Sequence, residues 1–542
     1  MASFTKSDQQ HRLLLLLVYL YVLVLGMLVI TVPPGFDPDS GWGFMVMHNM
    51  ERGAAFNRLI SPDPANIALN KSVFLSWWSP GQYMVPYLLK VLLKINSGHA
   101  ISLTILGCYL TGLTGFYMLF KKFGFTKLIA ALSIAFIATQ QFFIGQFVYY
   151  NGGELLLFAF LGWFLYGCFS FQRVTWQAVL FIFVAGLLGF FAKSSVLWML
   201  AAGTCCIWVN TSIGEARQLS GPAGLRRFIT DKRTILPWLK NGVLLLVPLV
   251  AACVVISVFY LAKGPNPSGQ SGQFLFKPEV VGFPLASPLL SGFSVDELLD
   301  GLIYQPDGPK VSYHLAITIL FTLAALSMFF VWLIVKFRTG EKYLVAFLSF
   351  YLLGCVVFGY MFFKQFTVSF EGRHFRIIGI LAIPGIIYLL FRSTAGKLIF
   401  FVAWIAFSYA GLRYFSDEFR ENRKAARGNL GLSEQLYDTL AMKKILQLDR
   451  EHHNDAIFVV MSADIGAEIT HNRVITIDAE TVPNGDFSKI KYKGKSGPLF
   501  ILVPQTLVAG NGDPSILKSF ADYHHFSSKQ LSPDFYLYSA EE

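Results

Sequence analysis

The sequence predicts an all-α polytopic membrane bundle of about eleven transmembrane helices, followed by a small α/β domain. Three observations lead to this fold class. The chain of 542 residues is 54% hydrophobic and only 14% charged, whereas about 25% of the residues of an ordinary soluble protein are charged. Apolar runs of about 20 residues, the length that crosses a bilayer, recur up to residue 415. Residues 416–542 contain no such run and carry charges throughout.

The first apolar run covers residues 13–32 and follows Lys6, His11 and Arg12. No small-residue cleavage site follows it, and a cleaved signal peptide has a shorter apolar core, so we expect an uncleaved helix with a cytoplasmic N-terminus. The further predicted spans lie near residues 100–120, 128–146, 154–171, 177–192, 195–210, 241–262, 313–335, 343–363, 377–391 and 398–415.

Segment 76–95 (SWWSPGQYMVPYLLKVLLKI) is amphipathic and is interrupted by Pro80 and Pro86, so we expect it to lie at the membrane interface. With this segment excluded from the spans, the predicted inner connections contain 17 basic and 4 acidic residues, and the outer segments contain 26 basic and 28 acidic residues. This asymmetry follows the positive-inside rule and places the C-terminal tail outside the cytoplasm.

The net charge of +11 is explained by this topology. Because no basic stripe lies on a soluble element, we expect no nucleic-acid partner. All the cysteines fall within predicted spans, so the sequence indicates no disulfide framework. These are Cys108, Cys168, Cys205, Cys206, Cys253 and Cys355.

The tail alternates short apolar segments with helical ones, which predicts a small α/β domain. The strands are expected at 456–461, 474–479, 498–503 and 534–539, and the helices near 433–448 and 514–523. The tail has no glycine-rich phosphate loop and no metal-ligand spacing. The predicted division is a membrane-embedded module over residues 1–415, with a first outer loop at 33–99, and an exported domain over 416–542.

Two acids stand at the start of the first outer loop. Asp37 and Asp39, in PPGFDPDSGWGF, follow the first span within a few residues. A carboxylate at the membrane boundary can act as a general base on an acceptor from the exported side, while a lipid-linked reactant arrives through the bilayer. The alternative is a turn followed by a helix whose N-cap is Asp39 or Ser40.

Further polar candidates also lie at the outer ends of predicted helices. Glu154 begins the fourth span, where it either serves the chemistry or simply complements the helix dipole. Arg373 and Arg376, in FEGRHFRIIG, lie outside against the positive-inside bias, which suits either a bound phosphate or lipid headgroups. Lys193 lies between two short spans, where it could contact a phosphate or snorkel to the interface.

These motifs resemble those of the GT-C integral membrane glycosyltransferases, and most closely the branch of the lipid A aminoarabinose transferase and the protein O-mannosyltransferases. The resemblance rests on the acidic first outer loop, the aromatic-proline segment WWSPGQYMVPYLL, the second outer loop YYNGGE and the α/β tail. It implies that Asp39, or its neighbour Asp37, is the catalytic base. It also implies that Glu154, with Asn151 beside it, is the second-loop acid that contacts a metal or the acceptor.

The sequence departs from the family pattern at two places. Ser40 stands where the family often has a second acid, and Trp78-Ser79-Pro80 stands where relatives have a basic residue before the interfacial helix. The donor phosphate is therefore expected to contact Arg373 and Arg376, with Lys193 and Arg52 as further candidates. A divalent metal could be held by Glu154, Asn151 or His48, although their spacing is not a metal signature.

The resemblance implies a transferase that moves a sugar from a polyprenyl-phosphate-linked donor to a glycan, lipid or protein acceptor on the extracytoplasmic side. It further implies an integral protein of a bacterial inner membrane. Two alternatives remain at this stage: a transporter or flippase of a lipid-linked glycan, and a surface polysaccharide ligase or polymerase. A transporter would be expected to carry ionisable residues in the middle of its spans.

Overall fold

The computed structural model describes most of the chain. The described residues are 2–36, 38–220, 232–265, 273–305, 308–337, 339–477, 487–508 and 514–541. Contacts divide the chain into two compact units. Unit 1 consists of residues 1–25, 105–146 and 153–416, and unit 2 of residues 26–104, 147–152 and 417–542.

Apolar helices account for most of the described chain. Eight helices are long and apolar enough to cross a membrane, or nine if the bent pair 127–138 and 141–148 forms one span. Two shorter apolar helices, 153–168 and 176–192, complete the set, and together these helices coincide with the predicted runs. The predicted helical membrane fold is confirmed.

The helices are numbered in chain order, and their bounds are α1 Ala2–Thr31, α2 Pro38–Glu51, α3 Gly81–Leu93, α4 Ser97–Lys122, α5 Lys127–Ala138, α6 Gln141–Val148, α7 Gly153–Cys168, α8 Trp176–Ala192, α9 Val196–Ser220, α10 Lys232–Phe259, α11 Pro278–Gly292, α12 Val295–Leu298, α13 Tyr313–Lys336, α14 Glu341–Phe363, α15 Arg376–Leu390, α16 Thr394–Lys424, α17 Thr439–Glu451 and α18 Ala463–Glu468.

Helix α11 in unit 1 lies within residues 263–312, which the sequence analysis treats as an outer loop. The helix was missed because it has only 15 residues and contains Pro284 and Pro288, so no long apolar run marks it. It is buried and packs against α13 and α15. Pro288 has no N–H to donate, and the carbonyl of Pro284 instead accepts a hydrogen bond from the thiol of Cys355, at 3.6 Å.

Helices α11 and α15 come into backbone contact at two glycines. A Cβ atom on Gly379 would lie 2.4 Å from the backbone nitrogen of Gly292, and 2.5 Å from the hydroxyl oxygen of Ser291. No side chain fits there, because the nearest atom belongs to the backbone of Gly292, which cannot rotate away as a side chain could. This contact fixes the start of α15 beside the end of α11.

Unit 2 contains a five-stranded sheet with the order β6-β5-β7-β9-β8. The strands of the chain are β1 Gly35–Phe36, β2 Arg58–Asp63, β3 Asn66–Phe74, β4 Tyr149–Tyr150, β5 Ile457–Val460, β6 Arg473–Thr476, β7 Leu499–Pro504, β8 Ser527–Gln530 and β9 Phe535–Ala540. The first three strands of this order are parallel, and β9 runs antiparallel to β7 and β8. The four predicted strands are confirmed, and the polar, exposed β8 was missed.

The first outer loop forms part of unit 2 through its hairpin and its helices. Strands β2 and β3 pair with each other, and Ile67 of β3 is buried in the hydrophobic core of the five-stranded sheet. Helix α3 lies inside the predicted amphipathic segment, and Leu88 and Leu92 on it are exposed. The outer loop and the tail therefore share one core.

We expect Gly379→Ala to lower the stability of the protein by about 1–3 kcal/mol, since its methyl group would collide with the backbone of α11. Gly359→Ala in α14 is the control, because a Cβ atom there meets nothing within 4 Å and alanine favours the helix. Thermal unfolding in detergent compares the two variants. Equal unfolding temperatures would contradict the close contact.

Candidate functional site

A cluster of charged side chains lies at the ends of apolar helices in unit 1. We call it the charged cluster, and its members are Glu154, Lys193, Glu297, Glu371, Arg373 and Arg376. Each side chain is between 17% and 35% exposed. Charges that are so largely removed from water are costly unless they are paired. The pairing therefore determines what the cluster can bind.

Glu154 is the shared partner of two cations. It lies in the first turn of α7, and Lys193 lies in the turn between α8 and α9. The ammonium of Lys193 forms an ion pair with Oε1 of Glu154. Nη1 of Arg373 lies 3.9 Å from the same oxygen. Three of the predicted site residues are thus brought together.

Arg373 is oriented by a carboxylate from its own turn. This arginine belongs to the 3-10 turn Gly372–Phe375, directly before α15. Its Nη2 donates to Oε1 of Glu371 at 3.1 Å, and its Nε pairs with Oε2 of the same residue. Two donors on one carboxylate fix the plane of the guanidinium group.

Arg376 is the first residue of α15, and it has a different set of partners. It forms an ion pair with Glu297 and donates through Nη1 to the carbonyl of Ser291 at 2.5 Å. Its guanidinium carbon lies 4.0 Å from the centre of the Phe142 ring. Arg373 and Arg376 are therefore held by different carboxylates, although they are only three residues apart.

Asp296 positions the turn that carries Arg373. One of its carboxylate oxygens accepts a hydrogen bond from the backbone of Gly372 at 2.6 Å, and the other accepts one from Leu302 at 2.9 Å. Burial raises the pKa of Asp296, and these two hydrogen bonds oppose that shift. The side chain ties α12 to the turn before α15.

Three acids of the charged region were missed by the sequence analysis. Glu371 lies two residues before Arg373, and this spacing was a local signal for their pairing. Asp296 and Glu297 stand next to each other after the buried helix α11, where the sequence analysis expected only a loop. Their partners lie more than 70 residues away, so no local pattern could have identified them.

Asp39 lies in unit 2, in the first turn of α2, and its side chain is exposed. Because α2 begins at Pro38, Asp39 and Ser40 are inside the helix, and the expectation that one of them is its N-cap is wrong. Asp37 lies outside the described residues. Asn151 is half-buried in the segment that follows β4.

The backbone of α2 packs directly on α18. A Cβ atom on Gly41 would lie 2.5 Å from the carbonyl of Ala463 and 2.7 Å from the nitrogen of Asp464. This contact holds the first turn of α2, and with it Asp39, against the tail. The position of Asp39 therefore depends on residues of the C-terminal sheet region.

Three buried acids lie close to this contact in unit 2: Glu434, Asp464 and Glu468, each at most 2% exposed. Burial, reinforced by the charge of Asp464, raises the pKa of Glu468 to about 7. Burial and the neighbouring carboxylates of Asp464 and Glu468 raise the pKa of Glu434 well above its usual value. Glu434 and Glu468 are therefore protonated at mildly acidic pH.

His48 and Arg52 both contact the carbonyl of Thr470, within unit 2. The Nε2 atom of His48 donates to it at 2.7 Å, and a guanidinium nitrogen of Arg52 donates to the same oxygen. Burial and the charge of Arg52 lower the pKa of His48. His48 and Arg52, the candidates for a metal and for the donor phosphate, therefore hold the end of α2 against the segment before β6.

The residues that the sequence analysis considered for a metal do not fit one. Among the described residues, no group of three or more His, Cys, Asp or Glu side chains is arranged to hold a metal ion. Glu154 faces the cations Lys193 and Arg373, which would repel a metal. His48 uses its Nε2 on a backbone carbonyl.

Comparison with known proteins gives structural neighbours only. No family model matches the chain, and no curated protein matches its sequence. The oligosaccharyltransferase of Archaeoglobus fulgidus is similar over 95% of this chain and 73% of its own, with 10% identity and a TM-score of 0.47. ArnT from Cupriavidus metallidurans, bound to undecaprenyl phosphate, is similar over 97% of both chains, with 11% identity and a TM-score of 0.43.

A third neighbour is the arabinofuranosyltransferase AftD from Mycobacteria, with 11% identity and a TM-score of 0.44. The present chain covers 97% of its own length but only 41% of AftD. These neighbours are all GT-C glycosyltransferases. They belong to the superfamily that the sequence motifs resemble. At such low identity, the assignment of a function depends on the chain's own residues.

The raised pKa of Glu468 predicts that the protein loses stability as the pH rises. Between pH 4.5 and 7 the folded carboxyl keeps its proton while the unfolded one loses it, so the free energy of unfolding falls by about 2–3 kcal/mol over this range. Glu468→Gln should remove this part of the pH dependence. Thermal unfolding from pH 4.5 to 8 tests this, with the exposed Glu451→Gln as control; identical profiles would contradict the assignment.

Proposed function

We propose that the protein is a membrane glycosyltransferase that moves a sugar from a polyprenyl-phosphate-linked donor to a glycan, lipid or protein acceptor. The observation that carries this proposal is the charged cluster of unit 1. Lys193 and Arg373 converge on Glu154 at the ends of apolar helices, where a phosphate on a membrane-embedded lipid would be placed. Arginine and lysine are the usual protein partners of phosphate.

The carboxylates of the cluster keep the cations in position when no donor is bound. Arg373 is the most exposed of its arginines and is oriented by Glu371, while its Nη1 lies 3.9 Å from Glu154, farther than a hydrogen bond. A phosphate oxygen that reaches Lys193 and Arg373 would receive donors that are already oriented by their carboxylates. Such preorganised charge is usually a large contribution to catalysis.

The reaction is a single displacement at the anomeric carbon. Asp39, exposed in the first turn of α2, accepts the proton of the acceptor hydroxyl or amine. The acceptor atom bonds to the anomeric carbon, the bond from that carbon to the phosphate oxygen breaks, and its electron pair leaves with the polyprenyl phosphate. Lys193 and Arg373 compensate the charge that develops on the departing phosphate.

The alternative of a transporter is less well supported by the described residues. The charged residues of unit 1 discussed above lie in first turns or in connections between helices, and not in the middle of spans where transporters place such groups.

In the ArnT structure the bound lipid is undecaprenyl phosphate, and we propose a lipid of this class as the donor here. The charge asymmetry of the sequence supports a cytoplasmic N-terminus, and the bacterial inner membrane is proposed from the family resemblance alone.

We expect Arg373→Lys to weaken the binding of undecaprenyl phosphate by about tenfold, because lysine keeps the charge but loses the oriented pair of donors. The affinity is measured on the protein in lipid nanodiscs. The control is Arg392→Lys, an exposed arginine of unit 1 that lies outside the cluster. Unchanged affinity in the Arg373 variant, or an equal loss in both, would exclude Arg373 as the phosphate partner.

Asp39→Asn should reduce sugar transfer by about 10²- to 10⁴-fold without unfolding the protein, because the amide is nearly isosteric with the carboxyl group but cannot accept a proton. Transfer from a labelled undecaprenyl-phosphate sugar is followed in sealed vesicles of known orientation, with cell-envelope material as the acceptor on one side. Transfer should occur only when the acceptor faces the C-terminal tail.

Asp37→Asn is the matched variant for this experiment. A loss confined to the Asp37 variant would move the role of base to that residue, and mild effects of both substitutions would contradict an aspartate base in this loop. Movement of the intact donor across the bilayer, without release of undecaprenyl phosphate, would indicate a flippase instead.

A further inference from the structure

Unit 2 contains a cavity of about 210 Å³ that the proposed chemistry does not use. It lies between the second half of α2, the hairpin β2–β3 and residues 466–474. Its volume equals that of about seven water molecules in the liquid, which is enough for one sugar ring. The polar side chains that matter for binding are His48, Asn49, Arg52, Asn70, Asn472 and Arg473.

The wall of this cavity has an excess of positive charge. No acidic residue belongs to the described lining, whereas two arginines do. The amides of Asn49 and Asn70 add further N–H groups that can donate to sugar oxygens. Met45, Ile60 and Val474 supply apolar surface. Such a mixture of donors and apolar patches is typical of a small-ligand site.

Arg473 keeps its charge without a carboxylate partner. Its guanidinium donates to the side chains of Asn70 and Ser496, each at 3.0 Å, and to the carbonyls of Ile67 and Leu69. All four acceptors are neutral. The side chain is therefore fixed in place by the hairpin while its positive charge is left uncompensated.

Arg52 forms no ion pair with a described carboxylate, and the acid whose charge acts on it is the buried Asp449. The hydrogen bond of Arg52 goes to the neutral carbonyl of Thr470, and no ion pair between the described side chains includes Arg52 or Arg473. Two arginines and no acid among the described lining residues indicate that the cavity can receive a negative charge from outside.

Asp449 does not line this cavity, but it holds in place residues 470–472 beside it. It is fully buried, and it accepts hydrogen bonds from the backbone of Thr470 and His471 and from the amide of Asn472. Burial alone would raise the pKa of Asp449, but the hydrogen bonds from Asn472, His471 and Thr470 outweigh it and lower the pKa. The carboxylate is thus committed to the segment that carries Asn472 and Arg473.

We propose that this cavity binds an anionic sugar unit, a uronate or a phosphosugar, whose negative group contacts Arg52 and Arg473. The assignment of this sugar to the acceptor rests on the proposed transferase function, whereas the binding itself does not. The apolar wall and the amides would hold the ring, and the two arginines would select the charge. The acceptor is then an acidic glycan.

The test measures binding to the full chain in nanodiscs by saturation-transfer NMR. Three probes are used: trigalacturonate, glucose 6-phosphate and the neutral maltotriose. We expect one or both anionic probes to bind at least about tenfold more tightly than maltotriose, and more weakly as the salt concentration rises. The uronate and phosphate probes show which anion the site prefers.

Two variants locate the site. Arg52→Gln should weaken the anionic probe about tenfold, and Ser61→Phe should block it by filling the cavity from β2 without changing the charge. Arg450→Gln, which removes an exposed arginine of the same unit outside the cavity, should bind normally.

Equal binding of the neutral sugar, binding by neither anion, or equal losses in the Arg52 and Arg450 variants would overturn the proposal. The result is independent of turnover. Anion binding without any sugar transfer would refute the transferase function alone, and transfer without anion binding would refute only this site.

Discussion

The sharing of Glu154 by Lys193 and Arg373 is the interaction on which the organisation of unit 1 depends. Charged groups at the ends of apolar helices have little water to solvate them, so each must find a partner from another helix end. This requirement brings together α7, the turn between α8 and α9, and the turn before α15. Removing one member would leave its partner unpaired in apolar surroundings, which costs more than the pair itself contributes.

Unit 2 is organised differently. Its candidate base, Asp39, is exposed, so its position depends on the packing of the backbone around it. The contact of Gly41 with Ala463, and the burial of Ile67 in the sheet core, join the first outer loop to residues about 400 positions later in the chain. An outer loop alone would have little core of its own. The tail therefore acts as the scaffold for the segment that begins with Asp39.

The sequence predicted those features that depend on composition and local period, and it missed those that depend on distant partners. The spans and four strands follow from apolar runs, whereas α11 was missed because its prolines shorten its apolar run. Glu154, Lys193 and Arg373 were selected for their positions at helix ends. Their pairing, and the role of Glu297, could not be predicted, since each partner comes from a distant part of the chain. That Arg473 has only neutral partners could also not be predicted, because those partners are known only once the hairpin is folded.

The prolines of α11 have a mechanical consequence. Each proline leaves one carbonyl of the preceding turn without its helical donor, and such carbonyls are open to donors from neighbouring helices. The thiol of Cys355 on α14 binds the carbonyl of Pro284, which Pro288 leaves without a donor. The hydroxyl of Tyr351 on the same helix binds the next carbonyl, that of Leu285, at 3.1 Å. Sliding of α14 along α11 would break both bonds at once. Two helices joined by these hydrogen bonds resist sliding past each other. A substrate that enters between helices would therefore have to pass between other helices of the bundle.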